Sequence, residues 1–216
     1  MHTPIHEKIR VLYYLSIIRF TTSIVKRSIV ADVTVLIEGY VKDGGETVQG
    51  TVTLVQDNGR NIVVDPGMTH DPHAIEKALQ GQSLKVSDID TVFVTHHHPD
   101  HTRYMGLFSD AAVIDYASIY HLDKWLDSGD GYAMTPNVTL LQTPGHTSED
   151  ATLVVTNVSN IQEKPCSVAI CHLWWFRGKD DDPTAEDMDQ LRDSRTKILK
   201  MADFIVPGHG AMFAAH

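Results

Sequence analysis

Four of the chain's 13 histidines fall within Thr95-His96-His97-His98-Pro99-Asp100-His101. Neutral imidazole is the commonest metal ligand among side chains, so this density points to metal chemistry. In an extended chain His96 and His98 project to one side and His97 to the other. Two imidazoles at i and i+2 can share one ion. Asp100 and His101 follow Pro99, where the chain must change direction, and are placed to serve a second ion beside the first. A catalytic Zn²⁺ commonly keeps three protein ligands and one open position, so each ion needs histidines from elsewhere. His146 in Thr143-Pro144-Gly145-His146-Thr147 and His209 in Pro207-Gly208-His209-Gly210 sit in turn-rich segments that can aim them.

These loops need a scaffold. Residues 33–41 and 51–56 are rich in β-branched side chains, and Asp57-Asn58-Gly59 leads into a strand over 61–65. Strand patterns recur at 91–95, 111–114, 138–142, 151–156 and 167–171, with a last short strand at 204–206. Helical spacing marks 72–80 and 119–126. A third helix is expected from Asp182 as cap, with Pro183 in its first turn and Met188, Leu191, Ile198, Leu199 and Ala202 facing the core. No repeat or low-complexity linker interrupts the pattern, so helices covering a mainly two-sheet core in one layered domain is the economical reading.

Composition narrows the function. The 216 residues fit one large domain at about 150 residues per domain. Eighteen Lys and Arg against 28 Asp and Glu give a net charge of −10, which disfavours a broad nucleic-acid platform. Two cysteines, Cys166 and Cys171, make no disulfide framework and suggest a reducing compartment, cytoplasm or nucleus. Residues 11–18 (VLYYLSII) are too short to span a bilayer, which needs roughly 20 apolar residues, so no stable membrane insertion is expected. No small-x-small cleavage site follows them. Ile5, Ile9, Leu12, Ile17, Phe20 and Ile24 instead form one helical stripe, read as an amphipathic extension or a mis-assigned start.

The run THHHPDH resembles the HxHxDH motif of the metallo-β-lactamase fold superfamily, and VDPG at 64–67, TPGHT and VPGHG resemble further loops of that family in order and spacing. Within it, VLIEGYV, MGLF at 105–108 and MADFIVPGHGAMF are similar to the animal metallo-β-lactamase-domain-containing protein 1 group. The resemblance implies an α/β fold, an αββα sandwich of two mixed sheets flanked by helices. It implies a hydrolase domain over 33–216 behind an extension over 1–32. It further implies one or two Zn²⁺ ions, the first among His96, His98 and His146, the second among Asp100, His101 and His209, with Asp100 also the catalytic carboxylate. Asp65 would orient a ligand.

One position departs from the family. A bridging aspartate is expected in a Gly-Asp pair after TPGHT, whereas this chain reads Ala169-Ile170-Cys171-His172-Leu173. Neutral imidazole offers one lone pair and no charge, so His172 should bind one ion and hold the second more weakly. A one-residue register shift would present the Cys171 thiolate instead. A third reading takes CHLWWFRG as a disturbed copy of the family's Gly-Asp-Leu-Phe. Asp180-Asp181-Asp182 reads as a solvated loop and helix cap, or as a substitute for the missing carboxylate. Trp174 and Trp175 read as packing, and Arg103 as a surface charge or an anion contact.

A metal centre of this kind supplies a nucleophile from water and neutralises charge on a reacting oxygen. The group resemblance implies phosphodiester cleavage of RNA of the histone pre-mRNA 3′-end type. A small-molecule thioester or lactone hydrolase, or a catalytically impaired metal-binding homologue, are the alternatives. RNA or a small ester is then the partner, and a homodimer is compatible with the sequence.

Overall fold

The computed structural model describes residues 30–216. The expected stripe from Ile5 to Ile24 lies outside the described residues, as do His2 and His6. One sheet has seven strands in the order β1 (Asp32–Ile37), β4 (Val52–Asp57), β5 (Arg60–Val64), β6 (Thr91–Phe93), β7 (Ala112–Ile114), β8 (Ser118–His121) and β9 (Lys124–Asp127). The other has six, β10 (Ala133–Thr135), β11 (Val138–Gln142), β12 (Ala151–Val158), β13 (Cys166–Ile170), β14 (Phe204–Val206) and β15 (Phe213–Ala214). A separate hairpin joins β2 (Tyr40–Lys42) to β3 (Thr47–Gln49). Both large sheets are mixed: β5, β6 and β7 run parallel to one another, as do β13 and β14, within otherwise antiparallel pairings.

The layers follow from strand alternation. Ile62 and Val64 of β5 face the space between the sheets, where they meet Phe93, Ile114, Leu140, Leu153, Val168 and Ile170. Val63 points the other way, onto Leu54, Val92, Ile75 and Leu79, the last two from helix α1 (Ala74–Gly81). Behind the second sheet, Val154, Ala169 and Ile205 pack on Leu191 and Ile198 of helix α3 (Met188–Leu199). Each fully buried aliphatic side chain stabilises this arrangement by about 1.5–3 kcal/mol. The result is helix, sheet, sheet, helix, the αββα sandwich that the sequence implied.

Local departures have physical causes. Residues 119–126 form the β8–β9 hairpin and not a helix. Ile119 is buried between the sheets, Tyr120 and Trp125 pair across the strands with rings 5.1 Å apart, and Leu122 makes the turn at φ 55°. The last long helix begins at Met188, capped by Asp187, whose carboxylate accepts from the Asp189 and Gln190 amides. Asp182 cannot cap it, because its oxygens are already engaged elsewhere. The expected strand over 33–41 breaks at Gly39, where an added Cβ would lie 2.5 Å from the Gln49 carbonyl. A further strand, β15, follows the one expected to be last.

The topology converges the chemistry. Asp65 follows β5, Thr95 to His98 follow β6, His146 follows β11, His172 follows β13 and His209 follows β14. Each loop leaves the carboxyl end of its strand. Helix α2 (Pro99–Thr102) then turns the chain beneath the cluster, with Pro99 in its first turn. Gly67 permits this close approach, since a Cβ there would fall 1.6 Å from the Asp100 carbonyl oxygen.

Candidate metal centre

Two sets of donors meet at the loop ends. In the first, His96 Nε2 lies 3.0 Å from His98 Nδ1, and His146 Nε2 lies 3.1 Å from the same atom. A single His98 nitrogen cannot satisfy both neighbours by hydrogen bonding, whichever tautomer it adopts. One shared cation can. A Zn–N bond of about 2.0–2.1 Å sets tetrahedral donors about 3.3–3.4 Å apart, close to these separations. His96 and His146 are buried, while His98 is exposed.

In the second set, Asp100 Oδ2 is 3.3 Å from His101 Nε2 and 3.6 Å from His209 Nε2. His172 Nε2 lies 3.0 Å from His209 Nε2. The ring of His172 contacts four other imidazoles, with centroids 4.1 Å from His146, 4.5 Å from His96, 4.9 Å from His101 and 5.0 Å from His209. Gly208 leaves room for that ring, since a Cβ would meet its edge at 2.2 Å. His101 Nε2 and His172 Nδ1 are buried and form no hydrogen bond among the described residues, an arrangement that suits donors to a metal ion.

Outer groups fix the rings. Asp65, buried and at φ 51°, accepts from His101 Nδ1 at 2.8 Å and from the amide and hydroxyl of Thr95. Asp182, also buried, accepts from His146 Nδ1 at 2.7 Å through one oxygen and from Thr184 through the other. The Gln49 carbonyl accepts from His209 Nδ1 at 2.9 Å. Each holds the opposite nitrogen, Nε2, toward the cluster.

Electrostatics match this design. Burial and the neighbouring imidazoles hold His96 and His172 well below the usual histidine value, lower His98, and bring His209 down to about 4. His101 is the exception: burial opposes its charge, yet Asp65 and Asp100 raise it to about 9. Asp100 falls to about 2 despite burial, through His101 and His209. Depressed in this way, the imidazoles of His96, His98, His172 and His209 keep their lone pairs free for a cation, and the ionised Asp100 supplies negative charge to balance it.

The sequence-predicted His96, His98, Asp100, His101, His146, His172 and His209 are therefore brought together, with Asp65 beside them. His97 points away and meets Asp115 at 3.1 Å. Cys171 is no donor here: it follows the in-register end of β13, lies in the apolar cluster with Val154, Leu191 and Ile198, and burial pushes its thiol up to about 12. Asp182 does not replace a bridging carboxylate, because it sits behind His146. Its role as partner of that ring escaped the sequence reading, where only the Asp180–Asp182 acidic run marked it. The Gln49 carbonyl carried no signal at all. Trp174 packs on Phe213 and Arg195, whereas Trp175 stands edge-on to His209 at 6.0 Å. Arg103 is exposed.

Among the described residues no helix is long and apolar enough to cross a membrane. The model of the metallo-beta-lactamase superfamily matches residues 45–138. Metallo-beta-lactamase domain-containing protein 1 of Xenopus laevis is 34% identical over 191 residues, 83% of this chain and 79% of the relative. The Homo sapiens protein of the same name is 31% identical over 161 residues, 70% of this chain and 59% of the relative. An N-acyl homoserine lactone hydrolase, solved with product at its catalytic metal centre, shares the fold with a TM-score of 0.61 at 16% identity, over 85% of this chain and 94% of that one. With a relative this similar over most of both lengths, and donors gathered where the fold binds divalent metal, the chain belongs to the metallo-β-lactamase superfamily of metal-dependent hydrolases, in the group of metallo-beta-lactamase domain-containing protein 1.

Proposed function

We propose that the chain is a Zn²⁺-dependent endoribonuclease, cleaving phosphodiester bonds in RNA in the manner of histone pre-mRNA 3′-end processing, in the cytoplasm or nucleus. The observation that carries the hydrolytic reading is the three-imidazole set of His96, His98 and His146, two donors buried and one exposed. These three residues would hold a divalent ion, which when bound would supply a water-derived nucleophile and charge neutralisation at the reacting oxygen. His96 and His146 would anchor it from the interior, and the exposed His98 marks the side open to substrate. Asp182 fixes the His146 tautomer and Asp65 that of His101. Asp100, held ionised, contributes negative charge and a donor oxygen; it is no proton donor near neutral pH. The RNA substrate rests on the resemblance to the domain-containing protein 1 group.

A specific observation favours a second reading, a small thioester or lactone hydrolase. Glu149 and Glu186 are exposed beside the His146 loop, Glu186 acts on His98, and the net charge is −10. Such a rim repels a long polyanion more than a compact ester. Metal content measured beside turnover of an RNA oligonucleotide, a thioester and a lactone separates the two. Chelator-sensitive RNA cleavage supports the first; turnover of the esters alone overturns it. Bound metal without turnover of any of them points to an impaired homologue.

A further inference from the structure

We infer that Arg195 is a positioning residue for the metal centre: by gripping two points of the loop that delivers Asp182, it sets that carboxylate against His146 and so fixes how firmly the first donor set holds an ion. The inference rests on the metal-dependent reading above but not on its substrate.

The loop needs a brace. Residues 171–187, between β13 and α3, contain no helix or strand, and a connection that long without structure of its own is uncommon in a compact domain. Its start is tied down, since the Trp174 and Trp175 carbonyls accept from the Gly208 and His209 amides at 3.0 and 2.7 Å. So is its end, where the Glu186 and Asp187 amides donate to the His146 and Gly145 carbonyls at 3.0 Å. Between them the chain is held less. Among the described residues, two hydrogen bonds join 176–182 to the structure outside the loop: His146 donates to Asp182, and Arg195 Nη1 donates to the Asp180 carbonyl. The second is the anchor that places the first.

The setting of Arg195 suits that task. It is buried on α3, and its Nε also donates to the Leu173 carbonyl at 2.7 Å. One planar guanidinium therefore spans the loop from the residue after His172 to the residue two before Asp182. The neighbouring Ser194 donates its hydroxyl to the Pro144 carbonyl at 2.8 Å, and Gly145 lets the helix come close, since a Cβ there would lie 2.4 Å from the Leu191 backbone. Adjacent residues of one helix thus hold the loop of His146 and the loop of its carboxylate partner. A buried cation is costly unless it is compensated. Burial pulls the guanidinium below its usual value, and the charges of Asp180 and Asp182 oppose that, with the Trp174 ring centroid 5.4 Å away. An apolar side chain would avoid the cost and leave the Asp180 segment unanchored.

Two readouts test this, one of them free of metal. An imidazole proton held by a carboxylate exchanges slowly and resonates far downfield, so in metal-free protein the His146 Nδ1 proton is identified by its loss in Asp182→Asn. Arg195→Met keeps an unbranched stem and removes the fork. It should broaden or shift that resonance and weaken the first Zn²⁺ by about 10-fold, the lower end of what losing an outer partner costs, with the second Zn²⁺ unchanged. Competition with a chromophoric chelator measures both affinities. Added to Asp182→Asn, Arg195→Met should weaken the first ion no further than Asp182→Asn alone. Arg195→Lys, which keeps the charge but cannot reach both carbonyls, should weaken it in the same direction and by less. A lower melting temperature with the resonance and the first-ion affinity at wild-type values overturns the inference, as do independent, multiplying losses in the double variant. Should Arg195→Met fail to fold, wild-type affinity in Arg195→Lys overturns it instead. Wild-type protein that binds no Zn²⁺ would remove the metal-dependent reading, and the proton resonance would then decide the role of Arg195 by itself.

Discussion

The two halves of the centre use the same residue type in unlike surroundings. His96, His98 and His146 come from two loops, one in each sheet's half of the sandwich, and reach solvent through His98. Asp100, His101 and His209, with His172 beside them, come from three segments and lie against Gly50, Gly67 and Gly208, where an added Cβ would clash with Asp100, His101 or His172. Imidazole alone does not set the chemistry. Exposure and the number of competing protein donors decide whether an ion there can meet a substrate, while the outer carboxylates decide how firmly it is held.

The largest expected effect breaks the exposed half. His98→Ala removes the nitrogen on which His96 and His146 converge, so the metal count should fall by one per chain and hydrolysis by more than the roughly 100-fold that loss of an outer partner costs. Elemental analysis beside kinetics reads both. A purified variant with an undiminished metal count would refute the assignment.

Chelation tests whether either half supports the fold. An ion present at about 1,000 times its Kd stabilises by about 4 kcal/mol, which in a domain this size is a fall of roughly 8–16 °C in melting temperature on removal. The apolar layers around Phe93, Leu153 and Leu191 contain none of the histidines or Asp100, so the β-rich far-ultraviolet circular dichroism spectrum should survive at 25 °C. Complete unfolding by chelator would make the centre structural throughout.

The difference between these two tests also explains what the sequence could and could not tell. The layers were legible because period-two alternation at Ile62, Val63 and Val64 leaves little freedom in which face is buried. The donors were legible because they sit in short loops with turn residues. The hairpin over 119–126 was not: Ile119, Leu122 and Leu126 imitate helical spacing, whereas the strands are held by cross-strand pairing, by Trp125 Nε1 donating to Ser118 Oγ and by the tilted contact of Trp125 with Tyr120. Asp182 was misplaced for a similar reason. An aspartate ahead of a proline and a helical pattern reads as a cap, and nothing local shows that His146, 36 residues earlier, takes its oxygen.

That long-range pairing offers a finer comparison of the halves. Asp182→Asn and Asp65→Asn remove a charge from behind His146 and His101 respectively and preserve shape. Each should weaken one ion by about 10–100-fold, Asp182→Asn the first and Asp65→Asn the second. Competition with a chromophoric chelator measures the two affinities. Equal loss of the same ion in both variants would show that the sets are one cooperative unit.

The smallest effect is expected one residue from the centre. Cys171 and His172 are neighbours in sequence but face opposite layers, the thiol packed with Leu191 and Ile198 behind the sheet and the imidazole among the donors. Cys171→Ala removes one buried sulfur and should cost about 1 kcal/mol, a fall of roughly 2–4 °C in melting temperature. Metal count and metal affinity should stay at wild-type values, since burial keeps that thiol protonated near neutral pH and turned away from the cluster. A lost ion in Cys171→Ala, at unchanged circular dichroism, would mean that the end of β13 can slip by one residue. The thiolate would then be the donor in place of the His172 imidazole, and the contrast between a solvent-bordering set and a buried, all-nitrogen-and-oxygen set would collapse.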